Sequence, residues 1–185
     1  MTDGIPIQHE SLDAAVIARC QRGDRDAQRE LYESCHQRVH RLMVRMVGID
    51  EAADLTQCVF LQVFRTIGQF AGHAKLETWV YRVAANEALQ HLRRSRQRTV
   101  GRLDWEPVDS TPDRRQTLEQ RELLDRSLQR LEPELRCIFL LREVDQLSYR
   151  EIAQTLGVAE GTVGSRLNRA RSDLRRHLRE LEGEA

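Results

Sequence analysis

Apolar side chains recur at helical spacing along most of this sequence, and only ten glycines and four prolines interrupt its 185 residues. A helix needs that spacing to present one apolar face, whereas a strand needs strict alternation, which no stretch shows. Long helices are therefore expected and an all-β fold is disfavoured. Hydrophobic residues make up 40% and charged residues 31%, so the helices should build small cores rather than one large one.

The first half of the chain predicts four helices that form one small bundle. Capping residues and glycines place them after Ser11, over residues 25–47, from Asp50 to Gly68, and over residues 76–98. The loop GQFAGHAK separates the third helix from the fourth.

Residues 99–113, TVGRLDWEPVDSTPD, break this periodicity. They contain two prolines and several acidic residues but no apolar stripe, which is typical of a linker. Helices are predicted again over residues 113–131, 133–144, 148–156 and 160–181. The sequence thus predicts an all-α chain of two small helical domains, residues 11–98 and 114–182, joined by a flexible linker. No fixed arrangement of the two domains is expected.

Charge is distributed unevenly along the chain, although 29 basic and 29 acidic residues give a formal net charge of zero. Residues 92–102 carry five arginines and no acidic residue, a pattern that favours local contact with a polyanion. All basic residues except Lys75 are arginine. Arginine suits bidentate contacts to phosphate and guanine, although a base-composition bias of the genome would give the same enrichment.

The segment SYREIAQTLGVAEGTVGSRLNRARSDL, residues 148–174, predicts a helix-turn-helix. Ser148 and Glu151 form a capping-box pattern, and Gly157 stands where the first helix should end in a left-handed residue. Ala153 is small where two helices must cross closely, and Val163 would pack the second helix inward. That second helix is expected to present a polar outer face, composed of Gly164, Ser165, Arg166, Asn168, Arg169 and Arg171.

Together with the preceding LEPELRCIFLLREVDQLSYREIA, the helix-turn-helix resembles region 4 of extracytoplasmic-function (ECF) sigma factors, small bacterial transcription initiation subunits. In the first half, DLTQCVFLQVFRTIGQF resembles their regions 2.1–2.2, and TWVYRVAANEALQHLRR resembles regions 2.3–2.4. The resemblance covers about residues 12–182 in the family's order. It implies a non-catalytic protein, without cofactor or small-molecule substrate, that binds core RNA polymerase through the β′ clamp helices and the β subunit. It also implies binding to promoter DNA.

The resemblance places the polymerase contacts on the third helix, at Asp54, Leu55, Gln57, Phe60 and Phe64. Phe60 and Phe64 lie one turn apart, which also suits the core of the bundle itself. Cys58 stands where the family usually has an acid, and this departure weakens the electrostatic part of the expected docking.

In the same family the −10 promoter element is read as melted single strand and the −35 element as duplex. The matching −10 positions are His73, Lys75, Arg82, Asn86, Gln90, Arg93 and Arg94. The matching −35 positions are Thr162, Ser165, Arg166, Asn168 and Arg169. Trp79 lies in the apolar stripe, which favours a core position over base stacking. Gly164 stands where the family commonly has Arg or Lys, so the contact usually made there must be absent or come from Arg166 or Arg169. The base sequence of the −35 element therefore does not follow from this helix.

A metal site is the weaker interpretation of Cys35, His36 and His40. Their spacing could hold zinc, but no fourth ligand is evident, so a surface helix is expected and no metal or cofactor is predicted. The start of the chain lacks a signal-peptide pattern, and no apolar run is long enough to span or insert into a membrane. A cytoplasmic, nucleoid-associated protein is expected, which an anti-sigma factor could hold at the inner membrane.

Two other functions fit parts of the sequence. A regulator with a LuxR-type helix-turn-helix would bind DNA without docking on polymerase, but the TWVYRVAANEALQHLRR helix argues against it. An enzyme with an appended DNA-binding domain would need a catalytic motif, and the short helical first half has no G-x-S-x-G, H-E-x-x-H or P-loop.

Overall fold

A computed structural model describes residues 13–98 and 115–183, and within these ranges the chain forms helices and no strand. The eight α-helices are α1 (Ala14–Gln21), α2 (Arg25–Val47), α3 (Ile49–Thr66), α4 (Leu76–Arg98), α5 (Arg115–Gln129), α6 (Pro133–Glu143), α7 (Tyr149–Leu156) and α8 (Glu160–Gly183). A single 3₁₀ turn, Ile67–Gln69, follows α3. The predicted all-α class is confirmed, and the predicted linker lies outside the described residues.

The helix starts follow local capping chemistry. Asp24 accepts hydrogen bonds from the backbone N–H groups of Asp26 and Ala27, at 2.9 and 3.1 Å, and so begins α2 where expected. Ser11, the predicted first cap, lies outside the described residues, and Asp13 caps α1 instead. The third helix begins one residue before Asp50, because Gly48 adopts a φ of 95° that turns the chain directly into α3.

The N-terminal half, α1–α4, buries the apolar stripes that the sequence predicts. Leu31, Val39, Met43 and Met46 of α2 are almost completely buried. They pack with the apolar faces of α3 and α4, whose buried members include Val59, Val63, Val80 and Ala84. Because α2 contacts α1, α3 and α4, it is the central helix of this half.

The C-terminal half, α5–α8, owes its turns to four residues. Pro133 occupies the first turn of α6, where no backbone N–H is needed. Ser148 and Glu151 form the predicted capping box at the start of α7. Gly157 ends α7 in the left-handed conformation, with φ 65° and ψ 34°, and α8 then crosses back over α7.

The two halves pack directly against each other, which the sequence analysis did not expect. Helix α4 packs along α7 and touches α6, while α2 contacts α5 and α6. Buried side chains of both halves form one continuous apolar cluster. The expectation of separate small cores is therefore wrong. One side of α4 packs into its own bundle and another side packs against α7, so α4 connects the apolar residues of the two halves.

Replacing Gly157 with alanine tests the turn of the helix-turn-helix. We expect Gly157→Ala to lower the free energy of unfolding by about 1 kcal/mol, since a Cβ is disfavoured at positive φ. Gly161 is the matched control, because it lies inside the first turn of α8 and its added Cβ would meet nothing within 4 Å. We expect Gly161→Ala to be neutral or to stabilise by about 0.5 kcal/mol. Urea denaturation followed by circular dichroism measures both, and equal effects would contradict the assignment.

Candidate nucleic-acid interface

The outer face of α4 carries a continuous polar stripe. Arg82, Asn86 and Gln90 are exposed and succeed one another at intervals of four residues, so they lie on one side of the helix. Arg93 and Arg94 extend the same exposed surface. The opposite face is held in the core by side chains that include Val80, Tyr81, Ala84, Ala85 and Ala88. Burial of that face therefore fixes the direction in which the stripe points.

The loop before α4 adds two exposed basic side chains to this surface. His73 and Lys75 are both exposed, and the Lys75 ammonium lies 3.8 Å from a Glu151 carboxylate oxygen in the other half. Trp79 is half-buried and packs edge-on against Phe70, with ring centroids 5.7 Å apart. Trp79 thus packs against the apolar cluster, as its place in the stripe indicates, and is not an exposed stacking platform.

The outer face of α8 carries a second polar surface. Ser165, Asn168 and Arg169 are exposed, whereas Thr162 and Arg166 are half-buried. The inner face is anchored by a buried series that comprises Val163, Leu167, Ala170 and Leu174. The helix-turn-helix geometry predicted from the sequence therefore presents these five polar side chains on the outside or at its edge.

The sequence predicted Gly164 on the outer face of α8, but the structure places it elsewhere. A Cβ built on Gly164 would lie 3.6 Å from the ring of Tyr149, so this position faces α7. The Tyr149 ring also lies beneath the Arg142 guanidinium at 5.6 Å. An added Cβ would make an ordinary van der Waals contact with this ring, so packing within the motif does not require glycine at position 164.

Carboxylates accompany the arginines at the start of α8. Arg166 lies 3.1 Å from Glu134, and Arg169 lies within 4 Å of both Glu132 and Asp173. Arg171 donates from Nε to Glu143 at 3.1 Å, and this carboxylate raises the pKa of the guanidinium. Exposed ion pairs of this kind are weak, typically below about 1 kcal/mol, so phosphate groups can displace the carboxylates.

The exposed face of α3 forms a third surface with a different chemistry. Asp54, Gln57 and Cys58 are exposed, and Leu61, one turn further on, is 56% exposed although it is apolar. Ile49 at the start of α3 is 62% exposed. Neither apolar residue was predicted for this surface from the sequence, although Leu61 follows Gln57 by four positions and so shares its face.

Two residues predicted for this surface are placed elsewhere. Leu55 and Phe60 are 7% and 3% exposed and belong to the core of the bundle, so they can orient α3 but present almost no surface to a partner. Phe64 is half-buried and packs against Phe60, with centroids 6.1 Å apart. These positions have a simple physical reason, since apolar residues one turn apart fit the inner face of α3 better than its outer face.

The two histidines of α2 pack with Tyr32 in a row of rings, next to Cys35 in the sequence. Cys35 is buried, and the His36 ring lies between those of Tyr32 and His40 at 4.6 and 6.0 Å. Within residues 13–98 and 115–183, no three His, Cys, Asp or Glu side chains are arranged to hold a metal ion. In the same ranges, no helix is long and apolar enough to cross a bilayer.

Comparison with known proteins gives consistent matches over both halves. The model of Sigma-70 region 2 matches residues 31–99, and that of Sigma-70, region 4 matches residues 121–174. The chain is 35% identical to the ECF RNA polymerase sigma factor SigM of Mycobacterium tuberculosis, covering 92% of this chain and 87% of SigM. It is 33% identical to the RNA polymerase sigma-H factor of Pseudomonas aeruginosa, covering 95% and 98%.

A solved structure shares the fold. The sigma factor RpoE, in complex with the anti-sigma factor NepR from Bartonella quintana, superposes with a TM-score of 0.67. The match covers 82% of this chain and 96% of RpoE at 23% identity.

Removing charge from the end of α4 tests whether the stripe binds phosphates. We expect the double variant Arg93→Gln/Arg94→Gln to bind a fluorescent 20-nucleotide single strand more weakly. Each lost phosphate contact should reduce the slope of log K against log salt by about 0.7. Fluorescence anisotropy over a salt series measures this change. The control is Arg29→Gln, which removes an exposed charge from α2. Equal slopes for wild type and the double variant would contradict the assignment.

Proposed function

We propose that this chain, which belongs to the ECF RNA polymerase sigma factors, docks on core RNA polymerase through α3 and reads promoter DNA with α4 and α8. The observation that carries the proposal is the presence of three separate exposed surfaces on one scaffold. Two of them are polar and rich in arginine, and one is mixed polar and apolar. Its family acts in transcription initiation and is not catalytic, so no reacting group is needed.

The α3 surface suits docking on a helical partner. Leu61 and Ile49 expose apolar area that a partner helix would remove from water, at a gain of about 25 cal/mol per Å². Asp54 and Gln57 beside them supply polar contacts that fix the orientation. We assign the β′ clamp helices as the partner, with Leu55 and Phe60 holding α3 in place from behind.

The α4 stripe suits a melted strand. Arginines spaced along the exposed face of a helix can contact successive phosphates of a single strand. Asn86 and Gln90 offer amide groups to base edges. His73, Lys75 and Arg82 extend this surface around the start of the helix. The stripe is therefore assigned to the −10 element.

The polar face of α8 suits the major groove of duplex DNA. Ser165, Asn168 and Arg169 are exposed on the second helix of a helix-turn-helix, the element that enters the groove in this motif. Thr162 and Arg166 lie at the edge of the same face. Since Gly164 packs on Tyr149, base contacts must come from its neighbours. This face is assigned to the −35 element.

Regulation and location follow from the same assignment. RpoE of Bartonella quintana was solved with the anti-sigma factor NepR, and we propose a comparable protein partner for this chain. A factor that serves RNA polymerase works in the cytoplasm, at the nucleoid. The LuxR-like alternative is not favoured, because a sigma region 2 match covers the first half.

Leu61 gives the sharpest test of polymerase docking. We expect Leu61→Asp to weaken binding to purified bacterial core RNA polymerase at least tenfold, because it places a charge in the buried contact. The fold should be unaffected, since Leu61 is largely exposed. Leu124→Asp is the matched control, because Leu124 is an exposed leucine on α5, outside the α3 surface. Equal affinities of the two variants, measured by fluorescence anisotropy, would refute the α3 assignment.

A further inference from the structure

A side chain of α1 reaches the turn that leads into the loop before α4. Gln21 is the last residue of α1, and its amide nitrogen donates to the Ile67 carbonyl at 3.2 Å and to the Phe70 carbonyl at 3.0 Å. That nitrogen carries two hydrogens, so one group can satisfy both acceptors. Ile67 begins the 3₁₀ turn and Phe70 directly follows it. Gln21 therefore ties α1 to both ends of the turn, across 46 and 49 positions of sequence.

Contacts to Trp79 hold the other side of this segment. The Phe70 ring packs edge-on against Trp79, with centroids 5.7 Å apart, and both rings pack against the apolar cluster. The Lys75 carbonyl accepts the backbone N–H of Trp79 at 3.1 Å, which begins the hydrogen bonding of α4. Phe70 and Lys75 are thus anchored, and together with the residues between them they form the segment that we call loop 70–75.

Loop 70–75 is exposed between its two anchors. Ala71, Gly72 and His73 all face solvent, and Gly72 turns the chain with a φ of 73°. Ordering such a segment costs conformational entropy, which a ligand must overcome when it binds. Because a loop with fixed ends loses less freedom on binding, its affinity for a ligand rises without any further contact to that ligand. The hydrogen bonds of Gln21 supply this restraint at the start of the loop.

We propose that Gln21 is a positioning residue for single-strand recognition, which fixes loop 70–75 so that His73 and Lys75 are held beside the α4 stripe. This inference rests on the proposed function, because the assignment of the stripe to the −10 element defines the ligand. Gln21 belongs to none of the three proposed surfaces and acts through the carbonyls of Ile67 and Phe70. It therefore influences the affinity for a single strand without contacting that strand.

The test replaces the amide of Gln21 in the full chain. Gln21→Met removes both hydrogen bonds and keeps nearly the same side-chain length. We expect the amides of residues 71–75 to become more mobile on the picosecond-to-nanosecond timescale, which lowers their heteronuclear NOE in ¹⁵N NMR. Affinity for a fluorescent 20-nucleotide single strand, measured by anisotropy, should fall at least threefold. The slope of log K against log salt should stay unchanged, because no phosphate contact is removed.

The matched control is Gln37→Met, which makes the same chemical change at an exposed position of α2. It should alter neither the NMR signals of loop 70–75 nor the affinity for the single strand. Gln21 is also exposed, so both variants should keep wild-type stability in urea denaturation followed by circular dichroism. A loss of affinity at unchanged stability separates positioning of the loop from a general structural role.

The outcomes distinguish failure of this inference from failure of the proposed function. Unchanged loop NOE values in Gln21→Met would mean that Gln21 does not fix the loop, and unchanged affinity would mean that fixing the loop does not aid binding. Either result overturns the inference while wild type still binds the strand. A smaller salt slope would show that a phosphate contact was lost, which equally contradicts positioning. If wild type itself binds no single strand, the assignment of α4 to the −10 element fails, and this inference fails with it.

Discussion

The amphipathic character of α4 is the constraint on which the rest of the structure depends. Its buried residues, Val80, Ala84 and Ala88 among them, join the core of the N-terminal half, and the helix also packs along α7. With those sides occupied, the stripe that runs from Arg82 to Arg94 faces solvent. A single helix thereby sets the direction of a proposed DNA surface and the position of the helix-turn-helix beside it.

Electrostatics indicate how a protein with a formal net charge of zero could bind a polyanion, as we propose. The formal net charge is zero, and the arginines of α8 are accompanied by carboxylates such as Glu134 and Glu143. Such a surface exerts little long-range attraction, which limits indiscriminate binding to nucleic acid. Exposed ion pairs exchange readily for contacts to phosphate groups. Affinity for nucleic acid is therefore expected only where the geometry of the ligand matches the positions of the arginines. The same carboxylates would then pair with the arginines until phosphate groups displace them.

Local signals could be read from the sequence, and contacts between distant residues could not. The capping box of Ser148 and Glu151 and the left-handed Gly157 are encoded within a few residues, so the helix-turn-helix was predictable. On α3 the helix was predictable, but Leu55 and Phe60 proved to be core, and Leu61 proved to be surface. The bond from Arg136 to Met46 spans 90 positions, and no periodicity indicates it. The packing of the two halves was missed for the same reason.

Run-off transcription tests the central claim most directly. Purified core RNA polymerase is incubated with and without the chain on a library of promoter fragments from the source genome, and new transcripts are mapped. We predict discrete transcripts that require both components and share sequences near −10 and −35. Binding to duplex DNA without any polymerase-dependent initiation would contradict it.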